Sequence, residues 1–178
     1  MNYGEIKEID VANGPGVRVT LFVSGCTHHC FECFQPQTWD FSFGQPFTDE
    51  TQKRILDALK PDYIEGFTVL GGEPFEPENQ RGLLGLLQKI RNTYPKKNIW
   101  MFSGYLLDEL AGWETGTGRA RCEVTDEILS LIDVLVDGEY EADKRNLALT
   151  FRGSENQRIL DVRRSLEAGR AVPAELEP

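Results

Sequence analysis

A chain of 178 residues is long enough to bury one hydrophobic core without staples, and it reads as a single domain over residues 1–168 with a flexible tail at 169–178. Its 29 acidic residues outnumber 19 Lys and Arg, and a formal net charge of -10 argues against a nucleic-acid backbone as partner. The first ten residues carry no apolar run, so no signal peptide is expected there, and no stretch is long enough to span a membrane. Three of the four cysteines are clustered, where a secreted scaffold spreads its cysteines in pairs, and this usage points to a reducing, cytoplasmic compartment.

In chain order, N-G-P-G-V-R at 13–18 predicts a tight turn, and Val17, Val19, Leu21 and Val23 alternate as a half-buried strand. That strand delivers Cys26 from its C-terminal end, with Cys30 and Cys33 close behind. Thiolates are soft ligands for iron or zinc. A structural zinc site closes with four protein ligands, as does a simple electron-carrying cluster, so three cysteines leave a position open and imply chemistry at the metal. His28 and His29 lie between the first two cysteines. A zinc site of three cysteines and one histidine is coordinatively sound, although convergence on so short a loop is awkward; otherwise the histidines pack the loop or hydrogen-bond to what it holds.

The polar and aromatic stretch from Phe34 to Phe47 predicts a long covering loop, and Thr48 caps a short helix that ends before Pro61. A strand over Ile64–Leu70 runs into Gly71-Gly72-Glu73-Pro74. Those glycines either make an ordinary strand-to-helix turn or let backbone approach a ligand closely. Leu83, Leu84, Leu87, Ile90 and Tyr94 mark a core-facing helix from Pro77. Then follow a strand at Asn98–Phe102, a short helix at Leu106–Leu110 and an exposed loop at Gly112–Glu123 that carries Cys122 as a free thiol. A helix from Thr125 to Leu131, a strand at Ile132–Val136, a strand at Leu147–Phe151 and a helix over Ile159–Ala168 complete the reading.

Alternating strands and helices argue for an α/β fold with a parallel sheet. A full eightfold barrel takes about 250 residues. The expectation is therefore an incomplete (β/α) barrel with about five or six parallel strands, open on one side and suited to a macromolecular substrate.

The spacing C-x3-C-x2-C after the first strand, with G-G-E-P after the second, resembles the radical S-adenosylmethionine superfamily. Further matches are N-G-P-G-V-R at 13–18, T-W at 38–39, G-Q-P-F at 44–47, S-G-Y at 103–105, V-L-V-D-G at 134–138 and F-R-G-S-E-N-Q-R at 151–158. In this order they are similar to the activating proteins of anaerobic (class III) ribonucleoside-triphosphate reductases, over roughly the first 165 residues.

The resemblance implies that Cys26, Cys30 and Cys33 hold a 4Fe-4S cluster by three irons, while the fourth chelates S-adenosyl-L-methionine. One electron into the sulfonium would yield a 5′-deoxyadenosyl radical, which abstracts hydrogen from a glycine of the reductase large subunit. Glu32, Cys33, Phe34, Gly71, Gly72 and Glu73 are implied as cofactor contacts. Glu32 departs from the aromatic residue commoner at its position in the superfamily. Asp137 either reaches the ribose or incoming peptide or is a turn acid. A one-electron donor such as flavodoxin is also implied. Two alternatives are an activase of another glycyl radical enzyme, such as pyruvate formate-lyase, and a non-catalytic zinc-binding adaptor.

Overall fold

The computed structural model describes residues 1–114 and 118–176. Strands β1 (Asn2–Asp10), β2 (Val17–Val23), β3 (Gln45–Pro46), β4 (Ile64–Gly71), β5 (Asn98–Phe102), β6 (Val134–Asp137) and β7 (Arg158–Asp161) form one sheet in the spatial order β3-β1-β2-β4-β5-β6-β7. The neighbours β2–β4, β4–β5 and β5–β6 are parallel. The pairs β1–β2, β1–β3 and β6–β7 are antiparallel. The fold is thus α/β with a parallel centre. Its parallel strands are β2, β4, β5 and β6, fewer than the five or six expected, and the sheet does not close.

The miscount has two physical sources. β1 reads N-Y-G-E-I-K-E-I-D and buries only Ile6 and Asp10, because its pairing with β2 is made by backbone and needs no apolar run. Leu147–Phe151, which alternates like a strand, is a series of turns with Leu147 85% exposed. The last strand is instead β7, and helix α5 (Val162–Ala168) starts later than predicted. Asp161 caps it by accepting from the Arg164 N–H at 3.0 Å.

The segment expected to be a flexible tail runs back along β7. Asp161 N donates to Val172 O and Ala174 N to Ile159 O, both at 2.9 Å, and Leu160 faces Pro173. Residues 115–117 of the predicted exposed loop, and 177–178 of the tail, lie outside the described residues.

Helices α1 (Asp49–Ala58), α2 (Pro77–Thr93), α3 (Leu107–Leu110) and α4 (Thr125–Leu131) join α5 in covering one side of the sheet. Thr48 caps α1 in a capping box with Thr51, as its sequence position predicts. Leu83, Leu87 and Ile90 of α2 present one helical stripe to Val19, Leu21, Phe67, Val69, Ile99 and Met101 of the strands, all fully buried in one core. Each such side chain contributes about 1.5–3 kcal/mol by leaving water, so this interface is what holds helices to sheet.

Strand residues of the other parity face away from the helices. Toward the strand C-termini these are Phe22, Leu70, Phe102 and Val136, which line a cavity. Nearer the N-termini lies Arg18, fully buried. Its Nε donates to Thr68 Oγ1 at 2.8 Å, Nη1 to Pro15 O and Nη2 to Phe67 O, both at 3.1 Å, and it stacks over Trp100. Burial pulls its pKa down to about 10, opposed by the charges of Glu65, Asp10 and Asp133, so it stays protonated at neutral pH. Asp10 accepts from Ala12 N, Asn13 Nδ2 and Thr20 Oγ1. Together Arg18 and Asp10 pin the 11–16 turn across the sheet.

Candidate active site

The cavity, of about 390 Å³, opens at the C-terminal ends of the parallel strands. Ligand sites in open α/β sheets form at this end, where successive loops supply side chains without breaking the sheet. β2 ends in Ser24-Gly25, and Gly25 has φ 101°, a backbone that glycine adopts without strain. Gly25 N donates to Thr38 O at 2.7 Å and Cys26 N to Trp39 O at 3.2 Å, so the 3₁₀ turn Pro36–Trp39 closes the cysteine loop on itself.

All three predicted cysteines line the cavity as free thiols. Cys26 is buried, whereas Cys30 and Cys33 are partly exposed. Burial pushes the Cys26 thiol up to about 11, against the pull of the His28 and His29 backbone. Cys30 is also raised, by burial first and then by the charge of Glu139. Thiolate ligands must be deprotonated, so loading a metal here would release protons. Among the described residues no three His, Cys, Asp or Glu side chains converge on a single-ion site. A tetrahedral zinc needs its thiolates at about 2.3 Å from one centre. In a cluster each thiolate takes its own iron, so the sulfurs stand apart.

Gly71 and Gly72 line the cavity through backbone. A Cβ on Gly72 would stand 2.6 Å from Gly25 O and 2.8 Å from Thr38 O, so this glycine lets the β4 turn lie flat against the cysteine loop. Glu73 borders the same cavity, but its side chain is committed to the protein. Oε1 accepts from Gly104 N and faces His28 Nε2, both at 2.7 Å, while Oε2 accepts from Phe75 N at 2.8 Å and Ser103 Oγ at 2.9 Å. A carboxylate offers about four lone-pair positions, and these four donors fill them.

Phe34 lines the cavity, with its ring 5.1 Å from that of Tyr140 and the Arg145 guanidinium 5.4 Å from its centroid. Glu32 does not line the cavity. It is exposed with φ 58°, because the loop turns through a left-handed residue between Cys30 and Cys33. His29 stacks on Trp39 at 4.4 Å, which is the loop-packing role.

Asp137 is fully buried and does not border the cavity. It accepts from Arg158 Nε at 2.9 Å, Arg158 Nη2 at 2.6 Å and Leu107 N at 2.7 Å, so it is a structural acid. Cys122 also lies outside, with Sγ 3.5 Å from Gln80 Oε1. The F-R-G-S-E-N-Q-R segment folds on Gln157, whose Oε1 accepts from Gly153 N and Ser154 N while Nε2 donates to Gly138 O. Residue reading alone missed Tyr140, Gln157 and Glu139 around the site. The motifs at 134–138, which ends just before Glu139 and Tyr140, and at 151–158, which contains Gln157, are the available signal for these loops.

The family described as a 4Fe-4S single cluster domain matches residues 12–160, and the chain belongs to that family. Within it, the chain is 41% identical over 165 residues to the anaerobic ribonucleoside-triphosphate reductase-activating protein of Escherichia coli (strain K12), a match covering 92% of this chain and 100% of that protein. The proteins of the same name from Haemophilus influenzae and Enterobacteria phage T4 are 41% and 37% identical over 161 and 159 residues. Each match covers 89% of this chain, and 97% and 93% of the respective relative.

Proposed function

We propose that this protein is a radical S-adenosylmethionine activase that generates a glycyl radical on an anaerobic ribonucleoside-triphosphate reductase. The observation that carries the reading is the meeting of Cys26, Cys30, Cys33 and the Gly71-Gly72 backbone on one cavity at the ends of parallel strands. The open sheet, with its parallel centre, is consistent with an incomplete barrel of the radical S-adenosylmethionine type. Relatives that match nearly the whole chain carry the activating-protein name, which supports the reductase large subunit as the protein substrate.

The residues fit the cofactors. Cys26, Cys30 and Cys33, all on one cavity, would each hold one iron of a cluster, and the fourth iron would be left for S-adenosylmethionine. Phe22, Phe34, Phe102 and Tyr140 give the cavity aromatic walls suited to an adenosyl group. When bound, cluster and S-adenosylmethionine together supply one-electron cleavage of the sulfonium and a 5′-deoxyadenosyl radical that abstracts hydrogen. The chain's own residues bind and shelter. Cys26, Cys30 and Cys33 hold the metal, and Gly71 and Gly72 admit the cofactor against backbone. Phe34 and Tyr140 exclude water at the rim, and Glu73 supports the turn from beneath. A one-electron donor such as flavodoxin would act from outside. No helix among the described residues is long and apolar enough to cross a membrane.

The test is anaerobic reconstitution. About four irons and matching sulfide per chain are expected. With reductant, S-adenosylmethionine and the cognate reductase, the mixture should give 5′-deoxyadenosine and the doublet electron spin resonance signal of a glycyl radical. A fully loaded protein that releases no 5′-deoxyadenosine would overturn the proposal.

A further inference from the structure

The loop that carries the cysteines has little backbone bonding of its own. Between Thr27 and Cys33 the bond from Cys33 N to Cys30 O spans the loop internally. Beside the stacking of His29 on Trp39, two adjacent side chains tie it to two buried carboxylates of the β4–α2 connection. Thr27 donates to Glu76 Oε1 through Oγ1 at 2.7 Å and through N at 3.1 Å. His28 places Nε2 2.7 Å from Glu73 Oε1 and Nδ1 2.7 Å from Glu139 Oε1.

The two anchors of His28 differ in kind. Glu73 is 1% exposed and held by three further donors, Phe75 N of its own turn and Ser103 Oγ and Gly104 N of the loop after β5, so it cannot follow a moving loop. Glu139 is 53% exposed and shares its carboxylate with solvent. The imidazole is 4% exposed, packs 4.4 Å from the Tyr105 ring, and fits because residue 104 is glycine; a Cβ there would stand 2.7 Å from Nε2.

We propose that His28 is a positioning residue whose bond to Glu73 fixes the path of the chain between Cys26 and Cys30 before any metal arrives. The thiols are then presented from a preorganised loop, and loading the site orders little additional backbone. The role of the cysteines rests on the function proposed above, but the geometry of the loop does not, and the two can fail separately.

The experiment uses the metal-free full chain and iodoacetamide, with alkylation of each cysteine followed by mass spectrometry at one pH. Cys26 is only 8% exposed, so its modification reports opening of the loop, while Cys122 serves as an internal reference for global unfolding. His28→Ala is expected to speed Cys26 modification roughly tenfold with Cys122 within about twofold of wild type. His28→Gln keeps a donor near the Nε2 position, facing Glu73, and should restore slow modification. His28→Asn keeps a donor near Nδ1, facing Glu139, and should behave like His28→Ala. After reconstitution, iron release to a chelator should follow the same order.

An unchanged Cys26 rate in His28→Ala would overturn the proposal, as would equal protection by Asn and Gln or a parallel rise at Cys122. None of these results depends on S-adenosylmethionine cleavage, so they leave the activase proposal to its own test.

Discussion

Arg158 grips Asp137 with two nitrogens, Nε at 2.9 Å and Nη2 at 2.6 Å, and the same Nη2 reaches Asp108 at 2.8 Å. This fixes the end of β6, where Gly138 enters the cavity wall, to β7 and α3. Removing the guanidinium leaves Asp137 buried without its charge partner. Arg158→Ala should cost about 2–4 kcal/mol, below the usual value for a buried pair because Arg158 is itself partly exposed. Arg158→Lys should recover less than half, since an ammonium cannot make both contacts. Urea unfolding measures both; an Ala variant within experimental error of wild type would contradict the structural role given to Asp137.

Gly72→Ala tests the flat contact between the β4 turn and the cysteine loop. The added Cβ meets two backbone oxygens, which cannot rotate away as a side chain would. A destabilisation of about 1–3 kcal/mol is expected, together with weaker S-adenosylmethionine binding by equilibrium dialysis of reconstituted protein. Full retention of both would show that the turn has slack.

Acid should loosen the 11–16 turn through Asp10. Burial raises its pKa, but hydrogen bonds from Thr20, Ala12 and Asn13 outweigh burial and leave it below the ordinary 3.8. A carboxyl with a depressed folded pKa adds stability that is complete above its unfolded value and lost as pH falls through the lower folded one. The stability advantage of wild type over Asp10→Asn should therefore be constant near neutrality and shrink below about pH 4. Chemical unfolding across an acid series checks this, and a gap that widens on acidification would reverse the sign.

The four cysteines should divide cleanly. Under the proposed function, Cys26→Ala, Cys30→Ala and Cys33→Ala should each lose stable iron loading and 5′-deoxyadenosine formation, because each would remove one iron's protein ligand. Cys122→Ala lies away from the cavity and should keep both within about twofold. Iron analysis with product chromatography separates the outcomes.

The elements legible in the sequence were those whose local pattern and tertiary environment agree. β2 alternates its valines and leucine on the core face, although its other face, with Arg18 and Thr20, is buried as well; β4 reads as a largely apolar run, and α2 repeats its leucines at helical spacing. β1 was hidden because a backbone-paired strand next to the sheet's rim can carry charges at most positions. The alternation in Leu147–Phe151 misled because the pattern alone does not provide a pairing partner.

At the site, Cys26, Cys30, Cys33, Gly71 and Gly72, singled out by residue type and spacing, come to one cavity with Phe34, which the resemblance implies. Glu73 shows the limit. A carboxylate beside a cavity looks the same in sequence whether its oxygens face a ligand or are filled by donors from loops thirty and forty-five positions away. Glu32 stands exposed beside the cavity in a left-handed conformation, which no local pattern announces.

The two rims of the open sheet share a device. On one side the outermost strand is β3, ending in Pro46, and on the other the chain returning along β7 places Pro173 opposite Leu160. Proline has no amide hydrogen, so neither border offers the unbroken row of donors that another chain would need to extend the sheet. The open α/β sheet is thereby guarded against accidental strand addition. Recognition of a partner by extension of the sheet is disfavoured at both rims.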